Sequence, residues 1–154
     1  MDGGKFLYQL LKVVIGFIAA VLGCGLFLSW GFFRGGTPET DPVGFAATIG
    51  AGLVTASLVG ATALVPATVL IGLAEAARLR SIIFHVGAAG ALAFALWTLG
   101  EEVGTADLRP GSAVALAAGF VAGAIYWLIA GRSSGGWHGR ARRRGAKQPD
   151  DQAD

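Results

Sequence analysis

The chain has 154 residues, 54% of them hydrophobic and only 14% charged, with a net charge of +2. A soluble domain carries about 25% charged residues, so this balance excludes an ordinary water-facing globule. The 25 glycines follow no three-residue period, which excludes collagen, and the lone Cys24 excludes an intrachain disulfide framework.

A hydrocarbon core about 30 Å thick takes about 20 apolar residues to cross as a helix. Four stretches free of Asp, Glu, Lys and Arg reach that length: 13–33, 43–74, 81–100 and 110–131. In lipid each must satisfy its own backbone hydrogen bonds, which dictates helix. A barrel would need strands alternating in polarity, and these stretches are apolar on every side. The expectation is an all-α polytopic membrane protein. Four transmembrane helices, at about 6–33, 43–74, 81–100 and 110–131, form a compact up-down bundle over residues 1–132. A disordered basic tail follows over 133–154.

The first helix follows Lys5, includes Lys12 near its start and carries Gly16, Ala20 and Cys24 at four-residue spacing, which puts them on one face. Val21-Leu22-Gly23-Cys24 loosely resembles a bacterial lipobox. The residues after it, Gly25 to Phe33, stay apolar, whereas a signal sequence gives way to a polar mature chain. A small buried cysteine is the expectation.

The second helix opens with a start signal, Asp41 as N-cap and Pro42 at the first helical position. Gly44, Thr48, Gly52, Ala56 and Gly60 form a stripe of small residues, the kind of surface through which helices pack in lipid. Pro66 removes the hydrogen bond to the Thr62 carbonyl, predicting a bend at Thr62–Pro66 with the Thr62 hydroxyl covering the exposed oxygen. Thr48, Thr55, Ser57, Thr62 and Thr68 make this the most polar helix. Such hydroxyls could line a pathway, or bond to their own backbone or a neighbouring helix.

Glu75, Arg78, Arg80 and His85 gather around the next turn. Glu75 and Arg78, three apart, can pair on one helix face, and His85 could carry a proton or sit at headgroup level. In the third helix Gly87, Ala91 and Ala95 share a face. In the fourth, opened by Pro110, Gly111, Ala115, Gly119 and Gly123 do. Gly119 and Gly123 also form a GxxxG pair, readable as internal packing or as a homodimer face. Trp30, Trp97, Trp127 and Tyr8 lie near run ends, where amphipathic rings favour the headgroup zone.

The tail holds Trp137 with Arg140, Arg142, Arg143 and Arg144. Such a juxtamembrane run attracts anionic headgroups by about 1 kcal/mol per charge, so these residues are candidate lipid-headgroup contacts; nucleic acid is not expected as a partner. Ten Lys and Arg fall in the N-terminal segment, the middle turn and the tail, against two, Arg34 and Arg109, in the intervening loops. The positive-inside rule then makes both termini cytoplasmic.

The strings Glu75-Ala76-Ala77-Arg78-Leu79-Arg80-Ser81 and Tyr126-Trp127-Leu128-Ile129-Ala130-Gly131-Arg132, within four short-looped Ala/Gly-rich helices, resemble small four-helix inner-membrane proteins of proteobacteria. The resemblance implies a bacterial inner membrane and carries over no functional residue.

No metal-ligand spacing, phosphate loop or nucleophile–base pair occurs, so no catalytic, cofactor or metal residues are expected. Small multidrug transporters depend on a first-helix glutamate, and this first helix has none. Uncharged spans favour an accessory or scaffold protein working through helix contacts, with lipids, another membrane protein or itself as partner. A component of a small-solute or ion transporter or channel is the runner-up.

Overall fold

A computed structural model of the chain describes residues 3–33, 36–99 and 110–135, the side chain of Lys5 excepted. Four α-helices make up nearly all of it: α1 (Gly3–Phe33), α2 (Pro42–Ala76), α3 (Ile82–Thr98) and α4 (Ser112–Ile129). A 3₁₀ turn, Gly131–Ser133, follows, and there is no strand among the described residues. By length and composition α1, α2 and α4 are long and apolar enough to cross a membrane. The 17 residues of α3 extend about 26 Å, short of the roughly 30 Å core.

Helix ends follow local chemistry. The Asp41 side chain accepts a hydrogen bond from the Gly44 amide at 2.9 Å and Pro42 follows as the first helical residue, the expected cap. At the other end of α2, Arg78 takes a left-handed φ of 54° and the Leu79 amide reaches back to the Ala74 carbonyl at 2.9 Å. This is a Schellman turn with arginine where glycine is usual. The fourth helix starts at Ser112, two residues later than Pro110 suggested, because Gly111 sits at φ +89° and turns the chain first. A β-carbon there would lie 3.1 Å from the Trp97 ring and 3.3 Å from that of Phe32, and those two rings stack at 6.3 Å.

Small residues set the helix contacts. Between α1 and α2, a β-carbon on Gly25 would come within 2.5 Å of the Ala56 amide nitrogen, and one on Gly52 within 2.8 Å of Leu26. The Ser29 hydroxyl donates to the Thr48 carbonyl at 2.6 Å across the same seam, a bond no sequence pattern announced. Between α1 and α4, Gly16 meets Tyr126 and Ala130, and Ala20 and Cys24 are buried beside Tyr126 and Ala118 respectively. Between α3 and α4, Gly119 lies against Ala89, Gly90 and Ala93, and Gly123 against Val86 and Ala89.

The face that α3 turns inward differs from the Gly87–Ala91–Ala95 stripe. Gly87 has nothing within 4 Å of a would-be β-carbon, and Ala91 and Ala95 are exposed. Residues 87 to 91 are all Gly or Ala, so spacing alone cannot choose among faces. The packed sides of α1 and α4 are also incomplete covers for the rest: α2 packs on α1, α1 on α4 and α4 on α3, while α2 and α3 scarcely meet. The helices form an open ring with a gap between α2 and α3.

Candidate functional site

That gap is an apolar cleft of about 120 Å³. Its α2 wall runs from Val59 to Ala74 and its α3 wall from Phe84 to Leu96, with α1 and α4 as floor. Much of the wall is alanine, including Ala63 and Ala67 on one side and Ala88 and Ala89 on the other. These side chains are too short to bridge the gap, which is the physical reason it stays open.

One end of the cleft is tied by a polar clasp that the sequence did not reveal. Glu75 accepts from the Gln9 side-chain amide through one carboxylate oxygen and from the Gly135 backbone amide through the other, both at 2.7 Å. The Ser133 hydroxyl donates to the Gln9 carbonyl oxygen at 3.0 Å. Arg80 donates through Nε to the Ser134 carbonyl at 3.0 Å, and the Trp127 indole donates to the Arg80 carbonyl at 2.8 Å. Gln9 is buried to 6% exposure and Ser134 to 1%, so these groups depend on one another rather than on water. The expected Glu75–Arg78 pairing gives way to this arrangement. The left-handed backbone at Arg78 instead lays its aliphatic stem under Gly135, where a β-carbon would come within 2.5 Å of Arg78 Cγ.

His85 stands where cleft and clasp meet. Its Nδ1 lies 2.9 Å from the Ser81 carbonyl, which can only accept, so Nδ1 carries a proton. Its ring stacks on Tyr126 at 5.7 Å. Nε2 is buried with no hydrogen-bond partner and faces Gly131, where a β-carbon would sit 3.1 Å away. Glycine at 131 makes the room this ring needs.

The sequence-derived candidates separate into several places. Gly52 and Gly60 lie against α1, and Gly119 and Gly123 against α3. Gly44 belongs to the Asp41 cap, whose carboxylate is its nearest neighbour. Helix α2 runs unbroken through Pro66, and the Thr62 hydroxyl donates to the Leu58 and Val59 carbonyls at 3.0 and 3.1 Å. It therefore does not cover its own carbonyl, because a threonine hydroxyl reaches back toward the preceding turn. Trp137, Arg140, Arg142, Arg143 and Arg144 lie outside the described residues. Residues 133–135, expected to open the tail, are held in the clasp. Among the described residues no three His, Cys, Asp or Glu side chains gather as a metal site would require.

No protein-family model matches the chain, and neither does any curated protein or solved structure. Fold and site define a class by themselves: an all-helical chain with membrane-suited helices and an apolar cleft clasped at one end.

Proposed function

We propose that the protein crosses a bacterial inner membrane four times with both termini in the cytoplasm, and serves there as a small accessory or scaffold protein through helix contacts. The observation that carries the reading is the outer face of α2. This helix has α1 as its one extensive neighbour, and Val54, Leu58, Val65 and Val69 stand more than half exposed along its length. Spacings of four, seven and four put them on one ridge. Such a ridge suits lipid or a second membrane helix, from another protein or another copy of this chain. The fourth crossing rests on α3 together with its uncharged flanks Ser81 and Leu99, and the orientation on the lysine and arginine asymmetry.

A transport role draws less support. Of the five α2 hydroxyls, those of Thr48, Ser57, Thr62 and Thr68 donate to carbonyls of their own helix.

Two measurements test the proposal. In a Cys24→Ala background, a membrane-impermeant thiol reagent applied to intact cells should label Thr40→Cys and spare Leu79→Cys and Arg140→Cys; the reverse pattern ends the topology. A photo-crosslinking residue at position 54, 65 or 69 should then give a discrete protein adduct, either with one defined partner or with a second copy. Adducts with lipid alone at all three positions would remove the scaffold reading.

A further inference from the structure

We infer that the α2–α3 cleft is a binding site for one acyl chain of an anionic phospholipid, whose headgroup phosphate is held by Arg78, Arg80 and Arg132. The inference rests on the membrane-spanning reading above and names what fills the cleft.

Dimensions decide between a chain and a helix. From Val59 to Ala74 the cleft follows α2 for about 22 Å. This exceeds the roughly 15 Å depth of one leaflet in a 30 Å core, so a lipid tail fits lengthwise. The cleft's volume is about 120 Å³ over that length. An α-helix 10–12 Å across needs on the order of 80–110 Å² of cross-section. The cleft is too slim to take in a partner helix, and a hydrocarbon chain can lie along it.

Charge selects the headgroup. The lining ends at Ala74 on α2, at Phe84 and His85 on α3 and at Tyr126 on α4. Arg78 lies four residues past Ala74, beyond the end of α2, Arg80 lies four before Phe84 in the α2–α3 turn, and Arg132 lies six past Tyr126, so three arginines stand at the same end. All three residues are exposed. Arg80 commits only Nε to Ser134, and Arg132 rests over the Trp127 ring at 5.0 Å, a depth at which tryptophan favours the interface. Glu75, held by Gln9 and the Gly135 amide, is the one carboxylate described at this end, and three arginines against it leave a positive excess. Guanidinium forks match phosphate geometry, whereas a zwitterionic headgroup offsets its own phosphate with an ammonium.

The test uses the full chain, purified in neutral detergent and titrated with dioleoyl phosphatidylglycerol or dioleoyl phosphatidylcholine, with bound lipids counted by native mass spectrometry. The wild type should retain one phosphatidylglycerol in preference to phosphatidylcholine. Arg78→Gln with Arg132→Gln should weaken phosphatidylglycerol binding about thirtyfold and leave phosphatidylcholine unchanged. Ala67→Phe, or Ala88→Phe should the first fail to fold, fills the cleft and should abolish retention of both lipids at an unchanged melting midpoint. Gln at 140, 142, 143 and 144 should leave the single bound lipid in place. Equal retention of the two lipids by wild type would overturn the inference. So would a preference that vanishes with the tail arginines but survives loss of Arg78 and Arg132, or a folded cleft-filled variant that still holds a lipid. Thiol labelling in cells reports the membrane crossing separately, so a failed lipid site and a failed topology give different results.

Discussion

Glu75 holds the backbone amide of Gly135 at 2.7 Å across sixty residues of sequence, joining the end of α2 to the segment that follows α4. The same carboxylate holds the amide of Gln9, so one side chain secures both the start of α1 and the exit from α4. Glu75→Ala leaves two donors without an acceptor in a largely water-excluded place, which should cost about 1–3 kcal/mol for each stranded group. The expected results are a lower melting midpoint in detergent and faster hydrogen exchange at Gly135. Glu75→Gln, keeping one acceptor oxygen, should show a smaller loss. An unchanged midpoint for Glu75→Ala would mean that the clasp contributes nothing.

Glycine substitutions should divide sharply by location. Gly25→Ala puts a methyl 2.5 Å from the backbone of Ala56 and Gly52, where no side chain can swing aside. Overpacking of this kind costs about 1–3 kcal/mol, so α1 and α2 should separate and the melting midpoint fall. Gly50→Ala, Gly72→Ala and Gly87→Ala meet nothing within 4 Å. They remove helix-weakening glycines and should be neutral or stabilising by up to about 1 kcal/mol. Parallel melting curves for the four variants check this; equal losses would contradict the packing.

The GxxxG pair of α4 is occupied within the chain. Gly119 and Gly123 press on Ala89, Gly90 and Val86 of α3. Gly119→Ile should therefore lower stability by the same amount at every protein concentration and leave crosslinked size unchanged. A dimer that falls apart on this substitution, with the monomer intact, would assign these glycines to self-association instead.

Ser29→Ala removes the 2.6 Å bond to the Thr48 carbonyl. Side-chain hydrogen bonds between membrane helices average about 0.6 kcal/mol, and the Thr48 oxygen keeps its place in the helical ladder. A midpoint shift near the limit of detection is expected, well below that of Gly25→Ala. A larger effect would show that α1 and α2 depend on this bond more than on glycine packing.

What could be read in advance followed from local chemistry. Asp41 and Pro42 mark a helix start by themselves, and the small residues of α2 stand out because Leu53, Val54, Leu58 and Val59 surround them. On α3 the same reasoning failed, since Gly87 to Ala91 offers small residues on every side. The clasp was beyond reach for a different reason. Gln9, Glu75 and Ser133 are unremarkable singly, and only the antiparallel course of the helices brings them to one end. Ser133 and Ser134 read as the start of a polar tail because their burial depends on Glu75 and Arg80, far away in sequence. The cleft, too, is a property of which helices fail to meet, and no one helix encodes that.

The pairing of α1 with α4 sets a timetable for biogenesis. The ribosome makes α1 before α4, so the face bearing Gly16, Ala20 and Cys24 meets its partner only after α2 and α3 have been made. Until then α1 and α2 can associate as a hairpin, while α3 has no permanent neighbour. Chains truncated before residue 112 should accordingly be degraded faster than the full-length protein, because the element that joins both ends of the fold has yet to emerge.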